Sequence, residues 1–262
     1  MNNFKLVNES YANIYESSSF KSQIVTQALL WEKLTIIDKE NNWYKISTHD
    51  GYNGWVNKFY LVDPFIYDSY TFLENDKNWY WLIKPCVNLL SKHKSIFVSY
   101  GTLLPCFENN SKLCVLMPDG NIFNIDSKVL MNFNKTYLIK DVLKNATKLI
   151  GVPYLWGGKS SFGYDCSGLV QVIYSITGYP LPRDCSDQLK DSSLYLIEEH
   201  EIRVGDLVYF EENNIAVHVG IFVNENEYLH SSGCVKLNSI NISYDNYDEG
   251  LFKKIKGFYR IK

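Results

Sequence analysis

The stretch Tyr154–Gly168, YLWGGKSSFGYDCSG, constrains this chain most. It is glycine-rich and polar up to Asp165, then becomes apolar at positions 169, 170, 172, 173 and 176. A glycine loop running into that spacing predicts a loop-to-helix junction and a helix with a wide buried face. Gly178, with Pro180 and Pro182 beyond it, ends the helix. Cys166 therefore falls in the first turn. Unpaired backbone N–H groups at a helix start lower a thiol pKa and stabilise an oxyanion. An ordinary free cysteine is a small buried hydrophobe. Asp165 and Ser167 on either side set Cys166 apart from that kind.

Two histidines follow in apolar runs. His218 lies in Ile215–Val223, which is β-branched and reads as a central strand. A histidine in such a run is usually a satisfied core residue. Gly220 beside it argues for close approach of another group. His230 lies in Tyr228–Ser232, a second strand after the Asn224-Glu225-Asn226 turn. Antiparallel neighbours place two such histidines side by side. The first is then a base and the second orients it through its other ring nitrogen. A thiol, a base and an orienting group are the parts of a cysteine nucleophile site. His49, His93 and His200 sit in polar surroundings and read as surface residues. No CxxC, CxxH or HxxxH spacing occurs, so neither a metal nor another cofactor is expected.

At 262 residues, with 46% hydrophobic and 21% charged residues, the chain can bury a core. A net charge of −3 with no basic block argues against nucleic acid as a partner. No run approaches the length of a membrane span, and Met1–Ser10 lacks the apolar core of a secretory signal. A cytoplasmic, monomeric protein without membrane partners is the expectation. The six cysteines show no disulfide framework.

Residues 1–65 read as short strands at Ala12–Tyr15, Val25–Leu29, Lys33–Lys39, Trp43–Ser47 and Gly54–Val56, with a tight Asp50-Gly51 turn. Residues 66–135 repeat the plan. Val87-Asn88-Leu89-Leu90 echoes Ala12-Asn13-Ile14-Tyr15, and Asp119-Gly120 echoes Asp50-Gly51. Two diverged small β-barrels are expected. From residue 136 the pattern changes to an amphipathic helix over Lys140–Ile150, then the Cys166 helix, then a strand series from Gly205 to Arg260. Helices followed by an antiparallel sheet predict an α+β domain over 136–262.

Six ordered blocks then carry a resemblance. Tyr154–Gly158, Asp165–Val170, Leu181–Asp184, Gly205–Phe210, His218–Ile221 and Leu229-His230 resemble the NlpC-type cell-wall cysteine peptidases. The resemblance implies a papain-like α+β fold that cuts peptidoglycan stem peptides, with Cys166 as nucleophile, His218 as base and His230 as the third residue. Leu29–Ile36 and Asp50–Val56 resemble the first of two SH3-like domains that precede the peptidase in one branch of that family. Members of that branch resemble γ-D-glutamyl-L-diamino acid endopeptidases, which release L-Ala-γ-D-Glu from stems with a free N-terminus. The branch usually has Gly where this chain has Trp31. The resemblance makes Glu32 and Asp165 candidates for holding the alanine ammonium, since a buried ammonium needs carboxylates. Tyr154 adds a hydroxyl acceptor, Ser167 and Ser186 face the D-Glu carboxylate, and Trp156 walls the groove. On the residues alone, Glu32 also reads as a surface charge, Ser186 as a cap for a helix starting near Asp187, and Trp156 as core. An amidase or acyltransferase with the same thiolate, and a wall-peptide-binding protein without catalysis, remain alternative readings.

Overall fold

The computed structural model describes residues 3–63, 71–91 and 94–262. The chain divides into two compact units, Met1–Thr136 with Lys159–Ser161, and Tyr137–Gly158 with Phe162–Lys262. The expected boundary near residue 65 and the expected surface position of His93 lie outside the described residues.

The first unit begins with seven strands: Phe4–Val7 (β1), Tyr11–Tyr15 (β2), Ile24–Leu29 (β3), Lys33–Glu40 (β4), Trp43–Ser47 (β5), Asn53–Asn57 (β6) and Leu61–Val62 (β7). They form one antiparallel sheet in the order β3-β2-β6-β5-β4-β1-β7. Five of these strands are the ones predicted. Phe4–Val7 is an addition, and it holds the sheet together by pairing with both β4 and β7. Seven more strands follow: Trp79–Leu82 (β8), Cys86–Leu90 (β9), Ser95–Ser99 (β10), Leu103–Asn109 (β11), Lys112–Leu116 (β12), Ile122–Asn124 (β13) and Leu130–Asn132 (β14). Their order is β10-β9 and β13-β12-β11-β8-β14. This is the first order strand for strand, broken between β9 and β13. Both sets are open as hydrogen-bonded sheets, where closed barrels were expected.

The echo between the two Asp-Gly turns is physical. Thr48 N–H bonds Tyr52 O and Gly51 N–H bonds Thr48 O; Met117 N–H bonds Asn121 O and Gly120 N–H bonds Met117 O. Gly51 and Gly120 sit at φ +79° and +84°, where a Cβ is disfavoured. Trp31 is the instructive case. Its φ is +72°, and its counterpart in the second strand set, Gly101, is at +76°. The backbone bonds match too: Trp31 N–H to Val7 O, and Gly101 N–H to Leu82 O. The position asks for glycine, and Trp31 occupies it because its indole is used. Nε1–H donates to Leu116 O at 2.8 Å, and the ring meets Trp79 edge to face. One apolar cluster therefore joins the two strand sets, with Leu6, Leu30 and Trp31 packed among Leu82, Leu104, Val115 and Phe123. The remaining strand of this unit, Lys159–Ser160 (β15), is bound by it through Lys159 N–H to Gln27 Oε1 and Ser161 N–H to Ser99 Oγ.

The second unit contains Ile139–Ala146 (α1), Gly163–Tyr164 (β16), Cys166–Thr177 (α2), Cys185–Gln188 (α3), Leu194–Ile197 (β17), Leu207–Glu212 (β18), Ile215–Phe222 (β19), Glu227–Ser232 (β20), Cys234–Ser239 (β21), Glu249–Phe252 (α4) and Ile255–Ile261 (β22). Its sheet runs β17-β22-β18-β19-β20-β21, antiparallel throughout. α1 is shorter than predicted. It ends at Ala146, continues as one 3-10 turn to Leu149, and leaves Ile150 half exposed before the Gly151 turn. α2 matches its predicted limits. Asp165 caps its start, and Gly178, at φ +88°, ends it in the left-handed conformation. Eleven of its residues are buried, because α1 covers one side and β19 and β20 cover another. Behind them Val208, Phe210, Phe222, Tyr228 and Phe258 fill the sheet's core. Among the described residues no helix is long and apolar enough to cross a membrane.

Candidate active site

Cys166 is the first residue of α2 and is 7% exposed. The preceding loop fits only because three of its contacts lack a Cβ. A Cβ on Gly168 would stand 2.3 Å from Gly158 O, and one on Gly158 would stand 2.3 Å from Gly163 O. The loop is thus pressed onto the helix start. Backbone N–H groups of Val219 and Ser167 face the sulfur. Val219 follows His218, so the sulfur lies against β19 at that step.

The two histidines stand on adjacent antiparallel strands, as the sequence suggested. His218 Nε2 and His230 Nδ1 are 2.7 Å apart. His230 is fully buried, and its Nε2 is 2.8 Å from Asn238 Oδ1. Gly220 does grant close approach, but to the Tyr228 ring, whose Cδ2 would be 2.6 Å from an added Cβ. Phe210 and Tyr228 flank the imidazoles at 5.3 and 5.0 Å between ring centres.

The electrostatics correct one expectation. The helix start was expected to lower the thiol pKa. Burial instead pushes Cys166 up to about 11, with Asp165 adding to the rise, against the opposing pull of the Val219 and Ser167 N–H groups. Burial, then His230 and Lys236, hold His218 down at about 3. Burial holds His230 at about 4. The resting site is a neutral thiol and two neutral imidazoles.

Asp165 is a second correction. Its carboxylate was expected to receive a substrate ammonium, but its two oxygens are filled from within. They accept Gly168 N–H at 2.6 Å, Gly157 N–H at 3.0 Å, the Ser167 hydroxyl at 3.3 Å and two nitrogens of Arg183 at 2.5 and 3.0 Å. A carboxylate has about four lone-pair sites, and five donors leave none over. Ser167 is spent in the same network. Its single O–H points to Asp165 and its oxygen accepts Arg183 Nη1 at 3.0 Å, so no donor remains for a D-Glu carboxylate. Arg183 is the residue that sequence reasoning missed. It fell in the Leu181–Asp184 block but was assigned no role there, and it is 3% exposed. The N-cap role of Asp165 was legible as an acid directly before a helical run.

The other expected residues divide. Tyr154 is half-buried, and burial together with Cys166 and Asp165 raises its phenol to about 12. Trp156 is 60% exposed, which excludes the core reading. Ser186 is half-buried within α3, whose cap position is Asp184, so Ser186 is not a cap. Glu32 belongs to the first unit and is no free surface charge. Its Oε1 lies 2.9 Å from Lys159 Nζ, while Oε2 is buried with no hydrogen-bond partner. His49 and His200 are exposed as expected.

A capped helix carrying a thiol at its first residue, set against a sheet carrying a histidine pair, has the parts of a cysteine nucleophile site. Residues 151–255 match the NlpC/P60 family, and residues 10–62 match the bacterial SH3 domain. A gamma-D-glutamyl-L-lysine dipeptidyl-peptidase of Bacillus subtilis is 31% identical over 222 residues, covering 79% of this chain and 72% of that protein. One of the same name from Bacillus cereus is 29% identical over 231 residues, covering 80% and 68%. A crystal structure of an NlpC/P60 family protein from Bacillus cereus superposes with a TM-score of 0.85, covering 98% of this chain and 99% of that one. At 22% identity that likeness speaks for the fold. The chain belongs to the NlpC/P60 family, with a bacterial SH3 domain ahead of the peptidase domain, and it is a cysteine peptidase.

Proposed function

We propose that this peptidase cleaves the bond between γ-D-glutamate and the following diamino acid in stem peptides with a free N-terminus, releasing L-Ala-γ-D-Glu. The names of its two 29–31% identical relatives support the substrate class. The observation that carries the chemistry is the 2.7 Å contact between His218 and His230 beside the Cys166 helix start.

In this reading His218 takes the Cys166 proton as sulfur attacks the γ-carbonyl. Because the resting pair is neutral, proton transfer accompanies attack rather than preceding it. The Cys166 N–H at the helix start stabilises the oxyanion. His218 then gives its proton to the departing amine, and later activates the water that cleaves the thioester. His230 orients the base. Tyr154 and Trp156 line the approach to the sulfur, and Ser186 serves the D-Glu carboxylate. Asp165, Ser167 and Arg183 build the helix start. The matched turns and strand order of β8–β14 support reading residues 66–135 as a second, diverged SH3-like copy.

Mass spectrometry of products from L-Ala-γ-D-Glu-L-Lys and its diaminopimelate counterpart, with and without an N-acetyl cap, tests the reading. Release of L-Ala-γ-D-Glu from the uncapped peptides alone is expected. Cleavage elsewhere, or equal cleavage of capped peptides, overturns it.

A further inference from the structure

We propose that Asn238 is a positioning residue that fixes the proton pattern of both histidines, so that His218 offers an unprotonated Nδ1 to the thiol. The inference rests on His218 being the base for Cys166.

The pattern is forced from its far end. Asn238 Nδ2–H donates to the backbone carbonyl of Asn246, an oxygen that only accepts. The amide is therefore oriented, with Oδ1 turned to His230 Nε2 at 2.8 Å. An amide oxygen also only accepts, so His230 carries its proton on Nε2. A neutral imidazole has one proton, which leaves His230 Nδ1 as a bare lone pair. That lone pair faces His218 Nε2 at 2.7 Å, so His218 Nε2 is the protonated nitrogen. Nδ1 of His218 is left as the base. The reverse order would set two lone pairs against each other at the His230–Asn238 contact. It would also put a proton on the one nitrogen that must accept.

The end of the chain is itself held. Asn246 Nδ2–H donates to Glu227 Oε1 at 2.9 Å, and Asn246 O also accepts Ser239 N–H at 3.2 Å. Asn238 is 7% exposed and His230 fully buried. Their partners in the fold are thus the ones that count. Charged groups around the pair are Lys236 on β21, which opposes protonation of both rings, and Asp248 at the cap of α4, which favours it at His230. Neither donates to nor accepts from the rings among the described hydrogen bonds, so neither sets the tautomer.

The experiment is nitrogen NMR of histidine-labelled full-length protein at pH 7, combined with stem-peptide kinetics. Wild type is expected to show His218 and His230 both protonated on Nε2. In Asn238→Leu the His230 tautomer becomes mixed and kcat falls roughly 10- to 100-fold, the cost seen when a metal-ligating histidine loses its outer partner, with KM little changed. Asn238→Asp keeps an acceptor for Nε2–H. It is expected to keep the tautomer while its charge moves the acid limb of the kcat profile to higher pH. Wild-type His230 protonated on Nδ1 overturns the proposal, as does an Asn238→Leu protein with unchanged tautomer and kcat. If Asn238→Leu does not fold, the wild-type spectrum and the Asn238→Asp profile decide. The expected spectra from an enzyme that leaves stem peptides intact would uphold the positioning role and overturn the proposed substrate.

Discussion

At the residue scale, the site trades charge for burial. A thiol near 11 and an imidazole near 3 do not form a standing ion pair at neutral pH. Alkylation of Cys166 by iodoacetamide is therefore expected to be slow at pH 7 and to rise steadily with pH. A fast rate that is flat from pH 5 to 8 would reveal a preformed thiolate. His218→Ala is expected to cost nearly as much activity as Cys166→Ala, and His230→Gln less, since an amide still accepts from His218 Nε2. The Asp165–Arg183 pair is the structural counterpart. Both partners are buried, so Asp165→Asn leaves a guanidinium without its countercharge. The expected loss is about 3–5 kcal/mol in a urea titration. A loss under about 1 kcal/mol, typical of a surface pair, would refute this role.

At the scale of elements, the sequence was most legible where local chemistry decides the backbone. Asp165 before an apolar periodicity and Gly178 after it mark both ends of α2, and Asp50-Gly51 marks the turn before β6. The Phe4–Val7 strand was not legible, because four residues interrupted by Lys5 carry too little alternation and its place comes from two partners far along the chain. Asn238 and Arg183 escaped for the same reason. Their partners are chosen by strand register and by the return of the chain to α2, which no local window contains. Trp31 combines two demands that no local window separates, since its left-handed backbone belongs to glycine while its indole belongs to the core. Gly220 supplies a test at this scale. A Cβ there would collide with the Tyr228 ring, so Gly220→Ala is expected to push β20 from β19 and part the histidines. The measurement is kcat against melting temperature. A fall in melting temperature with kcat intact would show that the histidine contact tolerates the shift.

For the whole molecule, the buried histidines tie stability to pH. Their folded pKa values, about 3 and 4, lie below the ordinary 6.5. The unfolded chain therefore binds more protons below pH 6.5, and stability falls as pH drops from there towards 4. A declining urea midpoint across that window is expected, with a shallower decline in His230→Gln. A flat profile would mean the histidines titrate normally in the folded chain. Lys159–Ser161 carries a different consequence. It sits in the sequence between Trp156 and Cys166, yet its partners Gln27, Glu32 and Ser99 belong to the first unit. The domain order was readable from composition and turns, but this exchange of three residues was not, because it depends on side chains 62 to 132 positions away.

The central claim is that Cys166 attacks the γ-glutamyl carbonyl with His218 as its base. Acid-quenching the enzyme during turnover of L-Ala-γ-D-Glu-L-Lys and weighing the intact protein and its peptides tests this most directly. The expected result is a thioester of L-Ala-γ-D-Glu on the peptide containing Cys166, absent from Cys166→Ala, which also loses hydrolysis by at least about 10⁴-fold. An adduct on another residue, or turnover by Cys166→Ala near that of the wild type, would contradict it.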